Sequence, residues 1–497
     1  MIRFLLLTAL FAAVVAQPSM ADSVESFDQR LLDILRAQGA ITEEQHRELQ
    51  GNADASVTGR DESFDRRLLD VLLAQGAISE GQYRELVEDV EPEPSATPHV
   101  SMEGEDPNGV KIEVGAKGFR AKTNDGRFKF GLGGRLHLDA AGHPGHLPDA
   151  APGVKANLTD GIEVRRGRIR MSATAFEDWD FLFNVDFADD EVAVKDLLLS
   201  YNGFSWGRFT AGSQKQPYSL GVEMSSNDLP FVERGIDNDL IIPFVDRALG
   251  GRFDSNGDHW QAAIGFYGDN IDPTEELDEG WGLAARGVFA PIRDEKKLLH
   301  LGFRTAYREP SSENNDQVRV RTETTHFSNL FISNTGQIPN NKRVVLYGPE
   351  VAFAWGPFSI FGEYNFAWFE VGNDPNLNYH SGHIGAAWSL TGESRAASYT
   401  MKSGEFKRLK PRNNFSLTER TWGAFELAAR WAYIDITDEN VRGGKEGRFS
   451  TVLNWYLNPA VRMMFDWTRV TNADDGSITT DTASGTDMLT YRLQFAF

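Results

Sequence analysis

The chain has 497 residues, a formal net charge of −22 and no cysteine. Disulfide staples, thiolate chemistry and Cys-based metal sites are therefore excluded, and the acidic balance makes nucleic acid an unsuitable partner. Gly (47 residues) and aromatic side chains (11%) are abundant, which suits turns, strands and membrane interfaces.

Met1-Ile2-Arg3 supplies a short positive region, the run from Phe4 to Ala16 is apolar, and Ser19-Met20-Ala21 places small residues where a signal peptidase cuts. The pattern predicts a signal peptide over residues 1–21. An apolar run of about 13 residues is too short to span a bilayer, and no later stretch reaches the ~18 that a membrane helix needs. An exported chain of this kind is either soluble or a β-barrel. Residues 22–106 hold about 21 acidic and 7 basic side chains, so the acidity is concentrated ahead of the main domain.

Residues 25–50 and 62–87 are two copies of one unit, identical at 19 of 26 positions. Each predicts helix, Gly turn, helix. Phe27, Leu31, Leu32 and Leu35 share one helical face, Gly39 is placed to end that helix, and Thr42 followed by Gln45 forms a capping box. So small a unit buries little core alone and needs a partner for its apolar faces. The duplicated helix-turn-helix segment is assigned to 22–90 and the Pro- and Glu-rich linker to 91–115.

From residue 116 to 497 the chain reads as an all-β membrane barrel. Leu489, Tyr491, Leu493, Phe495 and Phe497 fall on one face of the last segment, with Thr490, Arg492, Gln494 and Ala496 on the other. An apolar face opposite a polar one fits lipid outside and water inside. In a dry core the same charges would need paired partners at considerable cost. The terminal Phe497 resembles the outer-membrane C-terminal signature that the barrel-assembly machinery recognises. About sixteen such segments are predicted, from 127–141 and 161–177 to 459–471 and 487–497, an even number joined alternately by short periplasmic turns and long external loops. Sixteen antiparallel strands leave an aqueous channel.

The segment 214–245 is too apolar for a free external loop and is predicted to fold inward as a constriction. Arg166, Arg168 and Arg170, spaced by two, share a face and form a candidate anion-attracting stripe on the lumen wall. Arg135, Arg304, Arg308 and Arg430 are candidates for the same wall. The alternative is that these arginines pair with lumen carboxylates such as Glu363 or Glu426.

Several stretches together resemble the phosphate-selective porin O and P family. They are Phe130 through Leu136, Arg165-Arg166-Gly167-Arg168-Ile169-Arg170, Glu177-Asp178-Trp179, Ser225-Ser226 with Glu233-Arg234, and Asn414-Phe415-Ser416-Leu417 leading to Trp422-Gly423. The resemblance implies a homotrimeric barrel in outer-membrane lipid with an inward third loop. It also implies an arginine ladder, matched here by Arg165, Arg166, Arg168 and Arg170. It places the constriction at Asn227, Asp228, Glu233 and Arg234. The family's Lys after the paired serines is Asn227 here, followed by Asp228. A carboxylate at the narrowest point would weaken phosphate selection.

The expected function is passive diffusion of small anions through an outer-membrane porin, with phosphate or polyphosphate as family-implied solutes and no cofactor or metal. An alternative is a general or organic-anion porin whose N-terminal repeat, in the periplasm, grips a periplasmic or cell-wall partner. A barrel enzyme would need a fixed nucleophile and base on adjacent strand ends. The ten His show no such constellation; His380 and His383 share a strand as wall or loop residues.

Overall fold

The computed structural model describes residues 109–115, 118–144, 158–269, 279–311, 317–328, 330–474 and 483–497. The signal-peptide and helical-repeat assignments lie outside the described residues, as does most of the linker. The end of the stretch read as linker forms a strand, β1 (Val110–Gly115), paired with β2 (Gly118–Thr123).

Sixteen longer strands close into an antiparallel barrel. They are β3 (Lys129–Gly142), β4 (Gly161–Ala175), β5 (Trp179–Asp186), β6 (Ala193–Phe204), β7 (Gly207–Lys215), β8 (Arg247–Asn256), β9 (Trp260–Tyr267), β10 (Trp281–Arg293), β11 (Lys297–Glu309), β12 (Asn341–Trp355), β13 (Phe358–Val371) and β14 (Leu377–Ser389). Four minor two-residue strands, β15 to β18, follow between residues 399 and 422. The barrel then finishes with β19 (Ala424–Asp438), β20 (Val441–Tyr456), β21 (Val461–Asp474) and β22 (Asp487–Ala496). Each strand pairs with the next, and β22 returns to β3 through Arg135↔Ala496 to Gly142↔Leu489. All sixteen match segments read from the sequence.

The alternation that predicts the strands is the alternation of their environments. In β9, Trp260, Ala262, Ile264 and Phe266 are exposed outward while Gln261, Ala263, Gly265 and Tyr267 are buried inward. Phe497 N donates to Gly134 O at 3.1 Å, and Gly134 N donates to Phe497 O at 3.0 Å. A Cβ on Gly133 would lie 2.7 Å from Phe497 O, so only glycine admits the terminus there. The β1–β2 hairpin continues the sheet beyond it, with Phe119 opposite Leu132.

The connections at the β3 entry end are tight, as the barrel layout requires, with one exception. Residues 390–423, between β14 and β19, form a long segment at the end where the barrel layout places short turns. Its first half enters the barrel: Met401 and Phe406 are buried with Leu220, Leu229 and Ala354. Arg286 donates to Ser403 O (2.9 Å) and Gly404 O (2.8 Å).

From the opposite end, the β7–β8 connection folds inward as expected, carrying two helical turns, α1 (Leu220–Glu223) and α2 (Ile242–Val245). Tyr218, Leu240, Ile241 and Phe244 bury themselves against inward-facing wall residues such as Ala284, Leu346, Ala367 and Ile434. Each such side chain contributes about 1.5–3 kcal/mol on full burial. The β11–β12 connection joins the same cluster through Val318, Val320 and Ile338. The lumen is thus divided. The β8–β14 side is packed with infolded chain, and the β3–β7 side is polar.

Candidate functional site

A polar cavity of about 780 Å³ occupies the β3–β7 side. Its lining has thirteen Arg and Lys side chains against six Asp and Glu, an excess of positive charge focused between low-dielectric walls.

The ladder on β4 owes its geometry to a β-bulge. The register of β3 against β4 shifts between His137↔Arg166 and Leu138↔Val164, leaving Arg165 as the extra residue. Strict alternation would send Arg165 to the lipid side. The bulge re-aims it inward beside Arg166, and both contact Glu233, at 3.2 Å and 2.8 Å. Arg168 pairs with Asp186 at 2.6 Å. Arg170 is more open to the cavity. Arg135 on β3 donates to Ser226 Oγ at 2.9 Å, joining the wall to the paired serines.

Lys215, at the end of β7, donates to the carbonyls of Val222 (2.6 Å), Met224 (3.0 Å) and Glu223 (3.3 Å). These are carbonyls at the end of α1, where a cation is favoured. Arg234 braces the same turn from the loop, donating to Gly221 O (2.6 Å) and Met224 O (2.8 Å). Burial pushes its guanidinium down to about 10, so it keeps its charge at neutral pH.

The four constriction candidates separate. Arg234 lines the cavity. Asn227 is turned to the wall, accepting from His137 Nε2 (2.9 Å) on its side chain and from Gln494 (3.1 Å) on its carbonyl. Asp228 is buried and faces Arg408 at 3.8 Å. Glu233 is held among Arg165, Arg166 and Arg492. Burial alone would raise its pKa, but Arg166, Arg165 and Arg492 outweigh this and hold its carboxyl well below the usual range.

The remaining wall candidates sit elsewhere. Arg304 is fully buried against Glu350 (3.3 Å) and Glu363 (3.2 Å). Arg308 pairs with Asp269. Arg430 lies over the Phe231 ring at 4.3 Å and donates to Glu233 O at 3.2 Å. Glu426, offered as a partner for such arginines, is taken by Arg395 through two bonds of 2.6 Å. His383 pairs with Asp237 of the inward loop at 2.8 Å, and His380 faces outward beside Tyr364. The sequence reading missed Lys195, Arg208, Lys215, Arg247, Arg252, Lys402 and Lys407, which also line the cavity. Arg252 keeps the inward register of β8, with Ala248 and Asp254 buried beside it, a signal available from alternation, whereas Arg247, an odd five residues away at the start of the strand, has none. Lys402 and Lys407 arrive from the infolded 390–423 segment and have no such signal.

A closed sixteen-strand barrel with an apolar outer face, an inward loop and a charged polar channel defines an outer-membrane porin. The chain belongs to the phosphate-selective porin O and P family, which it matches over residues 130–497. It is 25% identical over 391 residues to Porin O of Pseudomonas aeruginosa, spanning 72% of this chain and 86% of that one. It is 26% identical over 360 residues to an uncharacterized protein of Caulobacter vibrioides, spanning 70% of each. Among solved structures, an anion-selective porin from Comamonas acidovorans is similar at a TM-score of 0.46 and 10% identity, covering 74% of this chain and 100% of that one. As a member of the porin O and P family the protein is a channel and not an enzyme.

Proposed function

We propose that the channel conducts small anions. The observation that carries this reading is the twofold excess of basic over acidic side chains around the β3–β7 cavity. Such a field concentrates anions and repels cations. Phosphate and polyphosphate fit the paired serines Ser225 and Ser226 beside Arg135, where hydroxyl and guanidinium donors converge. The reversal potential of the reconstituted protein under a chloride gradient tests the charge preference. Block of chloride current by added phosphate tests the solute. Cation preference would refute the first, and current indifferent to phosphate would refute the second.

The strands from β5 to β9 have only 8–12 residues, close to the minimum of about 9–11 that crosses a bilayer. A low wall of this kind supports a homotrimer in which neighbouring subunits cover the short side. Native mass spectrometry from mild detergent reads the stoichiometry, and a monomer would refute it. The duplicated segment at 22–90 supports a second role as a periplasmic or cell-wall tether, since its repeated apolar faces need a partner. Retention of the protein on isolated peptidoglycan, compared with a chain lacking 22–100, tests that role.

A further inference from the structure

The Asn414–Trp422 stretch has no part in the channel. It builds a small hairpin from β17 (Phe415–Ser416) and β18 (Thr421–Trp422), at the end of the barrel that carries the tight turns. Thr421 Oγ1 donates to Asn414 O at 2.5 Å, and Glu419 N donates to Ser416 Oγ at 3.1 Å.

The hairpin lies against the outer face of the barrel. Trp455 Nε1 donates to Trp422 O at 2.7 Å. The Phe415 ring meets Trp455 at 5.5 Å and Trp422 at 6.0 Å. Trp455 in turn stacks on Phe425 at 5.5 Å, and both belong to the outward faces of β20 and β19. Phe358 stacks on Trp388 at 5.5 Å along the same rim. Such a row of rings marks the headgroup level of a barrel. Beside it, Leu417 and Trp422 are 75% and 59% exposed, and Lys410, Arg412 and Arg420 are exposed in the same segment against one exposed carboxylate, Glu419.

We propose that this hairpin is a lipid anchor. Leu417 and Trp422 enter the acyl boundary of the periplasm-facing leaflet, and Lys410 and Arg420 meet anionic phospholipid headgroups. Continuity with the aromatic rim selects lipid as the occupant, and the flanking basic residues select anionic headgroups. The anchor holds one limb of the 390–423 segment while the other limb, with Lys402 and Lys407, borders the channel. Leu409 is buried with Ala424 and Tyr456 between the two. Gly423 makes the return into β19 at φ 72°, where a Cβ would lie 2.2 Å from Tyr456 O, so the hairpin is joined rigidly to the wall.

The chain has no cysteine, so Leu417→Cys carries a single nitroxide label on the full-length protein. Leu453→Cys on the lipid face and Asp374→Cys in an external turn serve as controls. In nanodiscs of phosphatidylethanolamine with phosphatidylglycerol, the label at 417 is expected to collide with oxygen in preference to an aqueous nickel chelate, as the label at 453 does. That preference should fall when phosphatidylcholine replaces phosphatidylglycerol, or when Lys410→Gln and Arg420→Gln are added. A label at 417 that behaves like the one at 374 overturns the anchor. Protection from both reagents would show a protein cover and also overturns it. Insertion that ignores the lipid charge overturns the headgroup assignment.

Discussion

Arg492 and Asp139 face each other directly across the seam where the last strand meets the first, with two guanidinium nitrogens each 2.6 Å from a carboxylate oxygen. The same arginine reaches the inward loop, donating to Val232 O at 2.5 Å and Glu233 Oε1 at 2.8 Å. One side chain therefore fastens both barrel closure and the constriction. Removing one member of a buried ion pair strands the other, at a cost of about 3–5 kcal/mol. Arg492→Leu should lower the temperature at which the folded band converts to the unfolded one on semi-native gels. Adding Asp139→Leu should restore part of the loss, because no uncompensated charge then remains. Equal stability of wild type and Arg492→Leu would remove this residue from the closure.

Arg168 and Arg170 test the ladder most cleanly, because neither touches the inward loop. Arg168→Gln with Arg170→Gln should reduce anion preference, read as a shift of the reversal potential toward zero, with the barrel still folded but less stable, because Asp186 loses its 2.6 Å partner. Arg166→Ala should do the same and also loosen the loop, since Arg166 holds Glu233 through two bonds of 2.8 and 2.9 Å. A reversal potential unmoved by the double substitution would make the ladder structural.

The sixteen strands were legible in the sequence because period-two alternation is a local property with one cause, lipid on one side and polar groups on the other. The inward course of the third loop was legible from excess apolar residues such as Leu240, Ile241 and Phe244. The positions of Arg304, Arg308 and Arg430 were not. Their strand spacing is that of wall residues, but what covers a wall residue is decided by chain infolded from elsewhere. Arg165 was legible only through the family resemblance, because a bulge breaks the alternation that spacing relies on. The infolded 390–423 segment escaped because its apolar Met401, Phe406 and Leu409 are scattered among lysines and arginines.

The Asn227-Asp228 pair bears on phosphate selection. A carboxylate at the constriction should repel anions, yet Asp228 is buried beside Arg408 and neither side chain lines the cavity. Asp228→Asn is therefore expected to leave the chloride reversal potential close to wild type. A marked gain in anion preference would show that its field reaches the channel.

Deleting residues 22–100 should leave single-channel conductance unchanged, because the described barrel closes on itself from β3 to β22. If the short-stranded side assembles the oligomer, the truncated chain also keeps its stoichiometry in native mass spectra. Loss of oligomers would assign assembly to the repeat.

Glu233 gives the pH test. Its pKa is depressed by Arg166, Arg165 and Arg492 against the opposing effect of burial. A carboxylate depressed on folding contributes stability that is complete above its unfolded value, about 4.3, and is lost as pH falls through the folded one. The loop fastening should therefore persist through mildly acidic conditions and fail only well below the ordinary carboxylate range. Glu233→Gln mimics the protonated form at any pH and leaves three arginines without their shared partner. Protease cleavage within residues 216–246 should then become faster at neutral pH, and current noise should rise. The wild-type protein should show the same cleavage only in strong acid, assayed with an acid-active protease. Cleavage of wild type that already rises near the ordinary glutamate pKa would place the control of the loop on another group.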